Sequence, residues 1–358
     1  MYDLIIIGGG ASGLAAGITA SKRGKKTLIV EKEEKLGKKI LVTGNGKCNL
    51  SHKNVTEEAY NTPWVKNVIG ADVEGFFHTL GLMTKESDGR IYPYSESAQS
   101  VVDVLRKKYT GDVKTGCEVL EIIEKDGFFD VNGYQGKQVL LASGSKATFG
   151  TESYSLYEKF GHTVTPLRPS ISPLLTDTTY IKGLNGIRAK CTVSLWSEGE
   201  KKDEQKGEIL FKSNGVSGIA SMMLSTFIAR NGGEYELRID FVPDKTEEEI
   251  GEFTRGYGAA CCVHKGTAQA VEKQARDRKI AIEKCLKDFR VRVTGVSGLK
   301  NAQVCCGGLK TNEFDENLQS KFKKGLYASG EVLDVDGICG GYNLHFAFAS
   351  GMTVGEKC

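Results

Sequence analysis

Three glycines near the start of the chain have the spacing of a turn that binds nucleotide phosphates. Gly8, Gly10 and Gly13 match the pattern G-x-G-x-x-G directly after a run of apolar residues. In such a turn the first glycine allows the tight bend, the second lets backbone N–H groups approach a diphosphate, and the third lets the following helix lie close to the strand. Ala11 and Ser12 fall at the start of that helix, where the unpaired N–H groups attract negative charge. The pattern predicts a site for a dinucleotide diphosphate.

The elements around this turn have the order that a βαβ unit requires. Residues 4–7 are typical of a strand buried on both faces, a helix is predicted from residue 11 to about residue 23, and residues 27–30 are a second buried strand. Glu31 lies 18 residues beyond Gly13, close to the ~20 expected of the acid that binds ribose hydroxyls. A carboxylate there would repel a ribose phosphate, so we expect an unphosphorylated adenosine moiety. The alternative is a glycine-rich turn in an ordinary α/β domain.

The loop that follows Glu31 is too rich in glycine, lysine and asparagine for a plain connection. Its glycines would let the backbone pass close to a cofactor, its lysines could counter phosphate charge, and its amides could bond to polar edges. These residues are Gly44, Gly46, Lys38, Lys39, Lys47, Asn45 and Asn49. A solvated basic loop is the alternative. Cys48 lies among them without a visible activating base, which favours a structural role over a catalytic thiolate.

The C-terminal region repeats the combination of strand, glycine and acid. Residues 325–331 read as a buried strand that ends in Gly330 and Glu331, and Gly340 and Gly341 open a helix further on. An acid at a strand end suits a polyol, and a glycine pair at a helix start suits a flat ring lying against backbone N–H groups. Two such sites at opposite ends of the chain predict one extended dinucleotide with a polyol and a ring, namely FAD.

Composition excludes several classes of protein. The chain has 358 residues, 40% hydrophobic and 26% charged, with a net charge of +3, which is typical of a globular protein without a nucleic-acid or membrane partner. An apolar strand beginning at Leu4 leaves no room for a secretory signal, which predicts a cytoplasmic protein. The ten cysteines include no C-x-x-C pair and no zinc spacing, so we expect no metal and mostly buried thiols.

The remaining elements are predicted from periodicity and turn signals. We expect helices at residues 59–82 and around residues 101–105, a β-meander of residues 116–122, 128–131 and 137–142, and a β-rich region after residue 166. That region contains strands at residues 190–196, 208–212, 236–242 and 290–294, a helix at 219–229 and a helical stretch at 246–288. The meander strand ending at Ala142 leads into Ser143 and Gly144, which we expect to return to the central sheet near the nucleotide.

Four motifs together carry a resemblance to a known family. They are IIGGGASG at 6–13, TGNGKCN at 43–49, GEVLDVDG at 330–337 and CGGYNL at 339–344. The chain resembles the BaiN-like and aminoacetone-oxidase-like (YhiN-type) FAD-dependent oxidoreductases over nearly its whole length. The resemblance implies an α/β fold, a glutathione-reductase-type Rossmann FAD domain with an inserted β-rich substrate domain that carries a small helical insertion. The implied boundaries are 1–165 and 301–358 for the FAD domain, 166–242 and 288–300 for the β-rich domain, and 243–287 for the insertion.

The resemblance also implies a set of cofactor-binding residues. They are Gly8, Gly10, Ala11, Ser12, Gly13, Glu31, Lys32, Lys39, Gly44, Asn45, Gly46, Cys48, Asn49, Val119, Ser143, Gly144, Gly330, Glu331, Gly340, Gly341, Asn343 and Leu344. Gly340, Gly341 and Asn343 are expected at the pyrimidine edge of the flavin, where donors stabilise the negative charge of the reduced ring.

The implied function is hydride transfer from NADH or NADPH, a transient reductant, through FAD to a small organic acceptor. Reduction of an activated double bond needs a proton donor, and His345 is the one histidine in a flavin-proximal motif. A packing or backbone-bonding role for His345 is the alternative. Two other functions stay open: a flavin oxidase of a small amine or ketone that produces hydrogen peroxide, and a FAD-binding protein with an eroded site. The eroded site is suggested by Lys47, Ser145 and His345, where relatives usually carry other residues.

Overall fold

The computed structural model describes residues 1–149 and 153–358. These residues form two compact units, one made of Met1–Leu167 with Val304–Cys358 and the other of Arg168–Gln303.

The first unit begins with strands and helices in alternation. Its strands are β1 Tyr2–Ile7, β2 Thr27–Val30, β3 Ser51–His52, β4 Thr84–Ser87, β5 Arg90–Pro93, β6 Asp112–Lys114, β7 Ile122–Lys125, β8 Phe128–Val131 and β9 Tyr134–Leu141. Its helices are α1 Ala11–Lys22, α2 Val73–Leu80, α3 Ala98–Lys108 and α4 Ser155–Glu158. The strands and helix predicted at 4–7, 11–23 and 27–30 are confirmed.

The second unit contributes β10 Arg168–Ser170, β11 Leu174–Thr176, β12 Arg188–Ser197, β13 Glu200–Lys212, β14 Gly215–Ser217, β15 Tyr235–Asp240 and β16 Phe289–Val296. Its helices are α5 Ile219–Asn231, α6 Glu247–Tyr257, α7 Lys265–Arg278 and α8 Ile282–Lys287. The chain then returns to the first unit with β17 Val304–Cys306, β18 Leu326–Ala328 and α9 Tyr342–Lys357. Short 3-10 helices lie at Ile40–Gly46, Glu57–Ala59, Pro63–Asn67, Gly258–Cys261, Leu299–Asn301, Thr311–Glu313 and Gly330–Val332.

The central sheet of the first unit is built around β1. Parallel pairs run from β6 through β2, β1 and β9 to β18, and β9 also pairs antiparallel with β8, which continues to β7. Every side chain from Leu4 to Ile7 is buried, as expected of a strand covered on both faces by crossover helices. Because parallel strands end at the same edge, the turns after β1, β2, β9 and β18 all lie at one edge of the sheet.

Helix α9 packs directly against α1 through glycines. A Cβ added at Gly351 would lie 2.2 Å from the Ser12 carbonyl oxygen, and one added at Gly355 would lie 2.6 Å from that of Ala16. Since no side chain fits at either position, the two backbones touch. This contact places the start of α1 against the middle of α9.

Two predicted elements of the first unit are wrong. Residues 116–121 are not a strand, and the meander begins only at Ile122. The helix predicted for 59–82 is broken into two short 3-10 helices and α2. Pro63 cannot donate to a helix interior, and Asp72 starts a new helix because its carboxylate accepts a 2.8 Å bond from the Gly75 N–H.

The second unit is a closed barrel in the order β11, β14, β13, β12, β15, β16. Its interior holds alternate apolar residues, for example Val193 and Leu195 of β12 and Leu237 and Ile239 of β15. The predicted helical stretch at 246–288 comprises α6, α7 and α8, and Thr246 begins α6 with a reciprocal capping box to Glu249. In the part of the chain that is described, no helix has the length and apolarity to cross a membrane.

Candidate cofactor site

The N-terminus of α1 is free to bind an anion. Gly10 is the residue before the helix, and the first helical bond runs from the Leu14 N–H to the Gly10 carbonyl oxygen at 3.0 Å. Among the described residues no side chain caps this end, and no acid lies in its first turn. The N–H groups of Ala11, Ser12 and Gly13 therefore have no partner within the helix. They point out of its N-terminal end.

The three glycines of this turn differ in what surrounds them. Gly8 has a φ of +106°, and an added Cβ would lie 2.5 Å from the Ala142 carbonyl oxygen; at Gly13 it would lie 2.0 Å from that of Gly8. Packing alone requires glycine at both positions. At Gly10 an added Cβ would meet no atom of the described residues within 4 Å, so these residues leave the space before the helix open. An open cradle lined by N–H donors fits a diphosphate.

Glu31 lies at the end of β2 beside this cradle. Its carboxylate accepts one bond from the Gly9 N–H at 2.7 Å and one from the Glu33 N–H at 2.9 Å. Each oxygen keeps a second lone pair, so the oriented carboxylate can still accept ribose hydroxyl groups. Lys32 follows it and is half-buried.

Lys39 and Glu331 link the two ends of the chain. The Lys39 Nζ lies 2.5 Å from the Glu331 Oε2, and the Glu331 Oε1 accepts a bond from the Cys305 N–H at 3.1 Å. Both charged side chains are largely shielded from solvent. Two residues predicted separately, from the second loop and from the C-terminal strand end, are therefore in direct contact.

The loop between Thr43 and Asn49 has an unusual backbone. Asn45 and Cys48 have φ values of +55° and +57°, a region that residues other than glycine seldom adopt and that is concentrated at functional sites. Burial raises the pKa of the Cys48 thiol to about 12, so this thiol is protonated and suits the structural role predicted for it. Gly44 and Gly46 also have positive φ values.

The N-terminus of α9 lies against this loop. Gly341 precedes the helix with a φ of +106°, and an added Cβ would lie 2.5 Å from the Ser51 carbonyl oxygen and 2.8 Å from the Asn49 Oδ1. The Asn49 Oδ1 is buried and has no hydrogen-bond partner among the described residues. As in α1, no side chain of the described residues caps α9, and no acid lies in its first turn. The first helical bond is made by the His345 N–H, which leaves earlier N–H groups for a ligand.

The side-chain amide of Asn343 bonds to the loop before α9. Its Nδ2 donates to the Gly337 carbonyl oxygen and its Oδ1 accepts from the Gly337 N–H, both at 2.8 Å. This reciprocal pair holds the glycine turn at Gly340 and Gly341 in place. Leu344 is half-buried in the first turn of the helix.

His345 is buried, and both of its ring nitrogens have partners. A carbonyl oxygen only accepts, so the Nε2–H donates to the Ile69 carbonyl oxygen at 2.8 Å. The Nδ1 then accepts from the Ser51 hydroxyl at 2.8 Å. Burial lowers the pKa of His345, opposed by the bond to Ile69, which keeps the ring neutral. The ring joins β3 to α9.

The remaining predicted residues lie after β9 and β18 or beside β7. The Ser143 Oγ is buried without a partner in the described residues. Gly144 has a φ of +75°, and a Cβ added there would meet none of these residues within 4 Å. Gly330 lies against Ser12, whose Oγ would be 2.7 Å from an added Cβ. Val119 is buried near the start of the meander.

Sequence reasoning missed Ser51, Tyr60 and His52. The Tyr60 hydroxyl donates to the Tyr342 carbonyl oxygen at 2.9 Å, and the His52 ring stacks on Tyr342 with ring centres 4.9 Å apart. No local pattern marks these residues, because their partners in α9 lie almost three hundred positions later. The metal-ligating side chains of residues 1–149 and 153–358 form no cluster of three or more.

Comparison with known proteins identifies relatives of nearly full length. The family model described as the HI0933-like protein Rossmann domain matches residues 2–357. The chain is 32% identical to a 3-dehydro-bile acid delta(4,6)-reductase of Clostridium scindens, covering 99% of this chain and 98% of that protein. It is 27% identical to a ribosomal RNA dihydrouridine synthase of Escherichia coli, covering 98% and 96%.

A solved structure shares the fold. The open conformation of a flavocytochrome c3 fumarate reductase aligns with 99% of this chain and 77% of that chain, at a TM-score of 0.50 and 15% identity. Together with the family model, this confirms the predicted Rossmann-type α/β fold with an inserted β-rich region, which the structure shows to be a closed barrel.

Proposed function

The chain belongs to the HI0933-like Rossmann family of FAD-dependent oxidoreductases, and we propose that it moves hydride from NADH or NADPH, through non-covalent FAD, to a small acceptor. The acceptor that we propose is a carbon–carbon double bond conjugated to a carbonyl group. FAD, when bound, supplies a ring that takes up and releases a hydride. The residues of the chain supply binding, orientation and a dry environment.

The pair of uncapped helix N-termini carries the FAD part of this proposal. The N–H groups of Ala11 and Ser12 would hold the diphosphate, and the Glu31 carboxylate would accept from the ribose hydroxyls. At the other end, the N–H groups that open α9 and the unpartnered Asn49 Oδ1 offer donors and an acceptor for the ring edge. A flavin has the diphosphate, hydroxyls and polar ring edge that these groups require.

The names of the relatives favour a conjugated acceptor. One relative is named for reducing the Δ4,6 double bonds of a 3-dehydro bile acid, and another for making dihydrouridine. A 3-oxo group beside a Δ4 double bond, and the uracil C5=C6 bond beside its C4 carbonyl, share one electronic arrangement: a double bond that accepts hydride because a carbonyl withdraws its electrons. The higher identity to the bile acid reductase supports a free small molecule over RNA as the acceptor.

His345 has a different role in this proposal from the one that its place in the motif predicts. Its two ring nitrogens are bonded to Ser51 and Ile69 inside the protein. We infer that His345 positions the start of α9 and does not deliver the proton.

Anaerobic mixing tests the proposal directly. The FAD-loaded protein should lose its oxidised flavin absorbance on addition of NADH or NADPH, and 2-cyclohexen-1-one should restore it. Free FAD with the same reagents is the control. If aminoacetone reduces the flavin and O₂ then yields stoichiometric peroxide, the oxidase function replaces this one. If neither nucleotide nor amine reduces a flavin that is bound, the site is eroded.

A further inference from the structure

The short sheet beside α9 has one buried face and one open face. In the antiparallel pair β3–β5, Ser51 lies opposite Ile91 and His52 lies opposite Arg90. Residues directly opposite each other project to the same face. Ser51 and Ile91 are buried, and the Ser51 hydroxyl bonds to His345 on that side. His52 and Arg90 therefore share the other, open face.

The His52 ring lies against Gly89 and is held by a hydrogen bond at one of its nitrogens. Its Nδ1 accepts a bond from the Asn54 N–H at 3.1 Å, so in the neutral ring the proton is on Nε2. The Nε2 has no hydrogen-bond partner among the described residues. The ring stacks on Tyr342, the first residue of α9, with an interplanar angle of 22°. His52 is thus fixed in orientation at the helix end where we place the flavin ring.

Arg90 carries an uncompensated charge beside it. Among the described residues, its guanidinium makes no recorded hydrogen bond or ion pair. Burial raises the pKa of the Cys339 thiol and of the Tyr342 phenol, and the charge of Arg90 opposes the shift of both. Arg90 therefore lies close enough to act on the turn that leads into α9. A guanidinium with free N–H donors is suited to an oxygen that gains negative charge.

Resting on the proposed function, we infer that Arg90 and His52 form the substrate subsite for a conjugated carbonyl compound. Arg90 binds the carbonyl oxygen, and His52 is the catalytic proton donor. Hydride adds with its electron pair to the β-carbon, the double-bond pair shifts toward the carbonyl, and the resulting enolate oxygen is held by Arg90. For this step the Nδ1 of His52 takes up a solvent proton in place of its bond from the Asn54 N–H, and the Nε2 proton of the resulting imidazolium passes to the α-carbon, which completes the saturated ketone. His52 regains a proton from solvent.

The groups around His52 differ from those around His345. The titratable and charged groups recorded around it are Tyr342 of α9 and Arg90 of β5, and no carboxylate is paired with it in the described residues. His345, by contrast, is enclosed and bonded at both nitrogens. The two histidines are separated by Ser51 and the short β3 strand, one on each face.

The first experiment measures binding, independent of turnover. A phenolate oxygen resembles an enolate oxygen, so 4-hydroxybenzaldehyde should bind the FAD-loaded full chain and perturb the flavin absorbance. Arg90→Gln should weaken this binding by at least about tenfold, since a hydrogen bond to a charged group is lost. Lys85→Gln is the matched control, because Lys85 lies on β4 of the same small sheet and pairs with Glu96.

The second experiment isolates the proton. Protein reduced with dithionite is mixed with 2-cyclohexen-1-one between about pH 5.5 and about pH 8.5, where histidine changes charge. His52→Gln should slow flavin reoxidation by about 100-fold, the smaller end of a general-acid contribution, and should flatten the pH profile. His52→Asn serves as the second variant if His52→Gln does not retain FAD.

The outcomes separate this inference from the function on which it rests. A chain that does not take up FAD contradicts the proposed function. A FAD-loaded wild type that does not reduce the enone also contradicts the proposed function, whereas a wild type that reduces the enone without binding the phenol overturns the subsite alone. The subsite is also overturned if FAD-loaded Arg90→Gln and His52 variants keep wild-type binding and an unchanged pH profile.

Discussion

The two helix N-termini that open the candidate cofactor site are built in opposite ways. At α1 the strand, turn, helix and acid follow one another at the start of the sequence, and a Cβ at Gly10 would meet none of the described residues. At α9 the glycine is pressed against Ser51 and Asn49, which come from a loop far away in the sequence. The difference teaches that ligand binding and folding are separable at the first end and coupled at the second.

The largest test of this comparison is a pair of substitutions in α1. Gly13→Val should destabilise the fold by about 3 kcal/mol or more, because its side chain must displace backbone rather than a mobile side chain. Gly10→Ala should change the free energy of unfolding by less than about 0.5 kcal/mol yet weaken FAD binding. Urea unfolding and FAD titration measure the two effects. Equal destabilisation by both substitutions would contradict the account.

Gly341→Ala should reduce both the stability of the fold and the affinity for FAD. The positive φ and the contact with Ser51 together predict a loss of about 2–4 kcal/mol in unfolding free energy, along with weaker FAD binding. The same two measurements apply. If Gly341→Ala had the unfolding free energy of the wild type and weakened only FAD binding, then cofactor binding and folding would be separable at α9 as well.

His345 bonds the start of α9 to Ser51 and Ile69. Its replacement should therefore lower the stability of the fold. His345→Leu leaves the Ile69 carbonyl oxygen without a buried donor and should cost about 2–3 kcal/mol. Because burial lowers the pKa of His345 in the folded chain, the unfolded chain binds a proton that the folded chain does not. Stability is therefore present above about pH 6.5 and is lost as the pH falls below it.

Thermal unfolding at a series of pH values checks this sign. The melting temperature of the wild type should fall from neutral to mildly acidic pH, and the fall should be smaller in His345→Gln. Some acid sensitivity should remain, because burial also lowers the pKa of His162 despite the opposing Glu313 carboxylate. A steeper loss in the variant would contradict the assignment.

The last substitution concerns Glu31, the acid at the end of β2. Glu31→Ala should weaken FAD binding by about 1.5–3 kcal/mol, through the lost bonds to ribose hydroxyls. Competition with ADP-ribose, which lacks the flavin ring, sharpens this test, since its affinity should fall by the same factor. An unchanged affinity for both would place the ribose elsewhere.

The sequence predicts well what is local. The glycine turn, α1 and Glu31 are recognisable because each residue acts on near neighbours, and the strands of the barrel follow alternation. The sequence does contain the two signals that interrupt the helix predicted for 59–82, namely Pro63 and Asp72. The prediction of one continuous helix gave more weight to the apolar periodicity across them. Ion pairing between Lys39 and Glu331, and the enclosure of His345 by Ser51 and Ile69, depend on tertiary contacts that no short pattern contains.

Calorimetric titration of the cofactor-free protein with FAD tests the central claim most directly. One equivalent of FAD should bind and be released intact on denaturation, since the site offers donors from two helix N-termini and oriented acids without a covalent link. A second titration with Gly10→Ala should give the same stoichiometry with lower affinity. The claim is contradicted if the wild type shows neither heat of binding nor a change in flavin fluorescence.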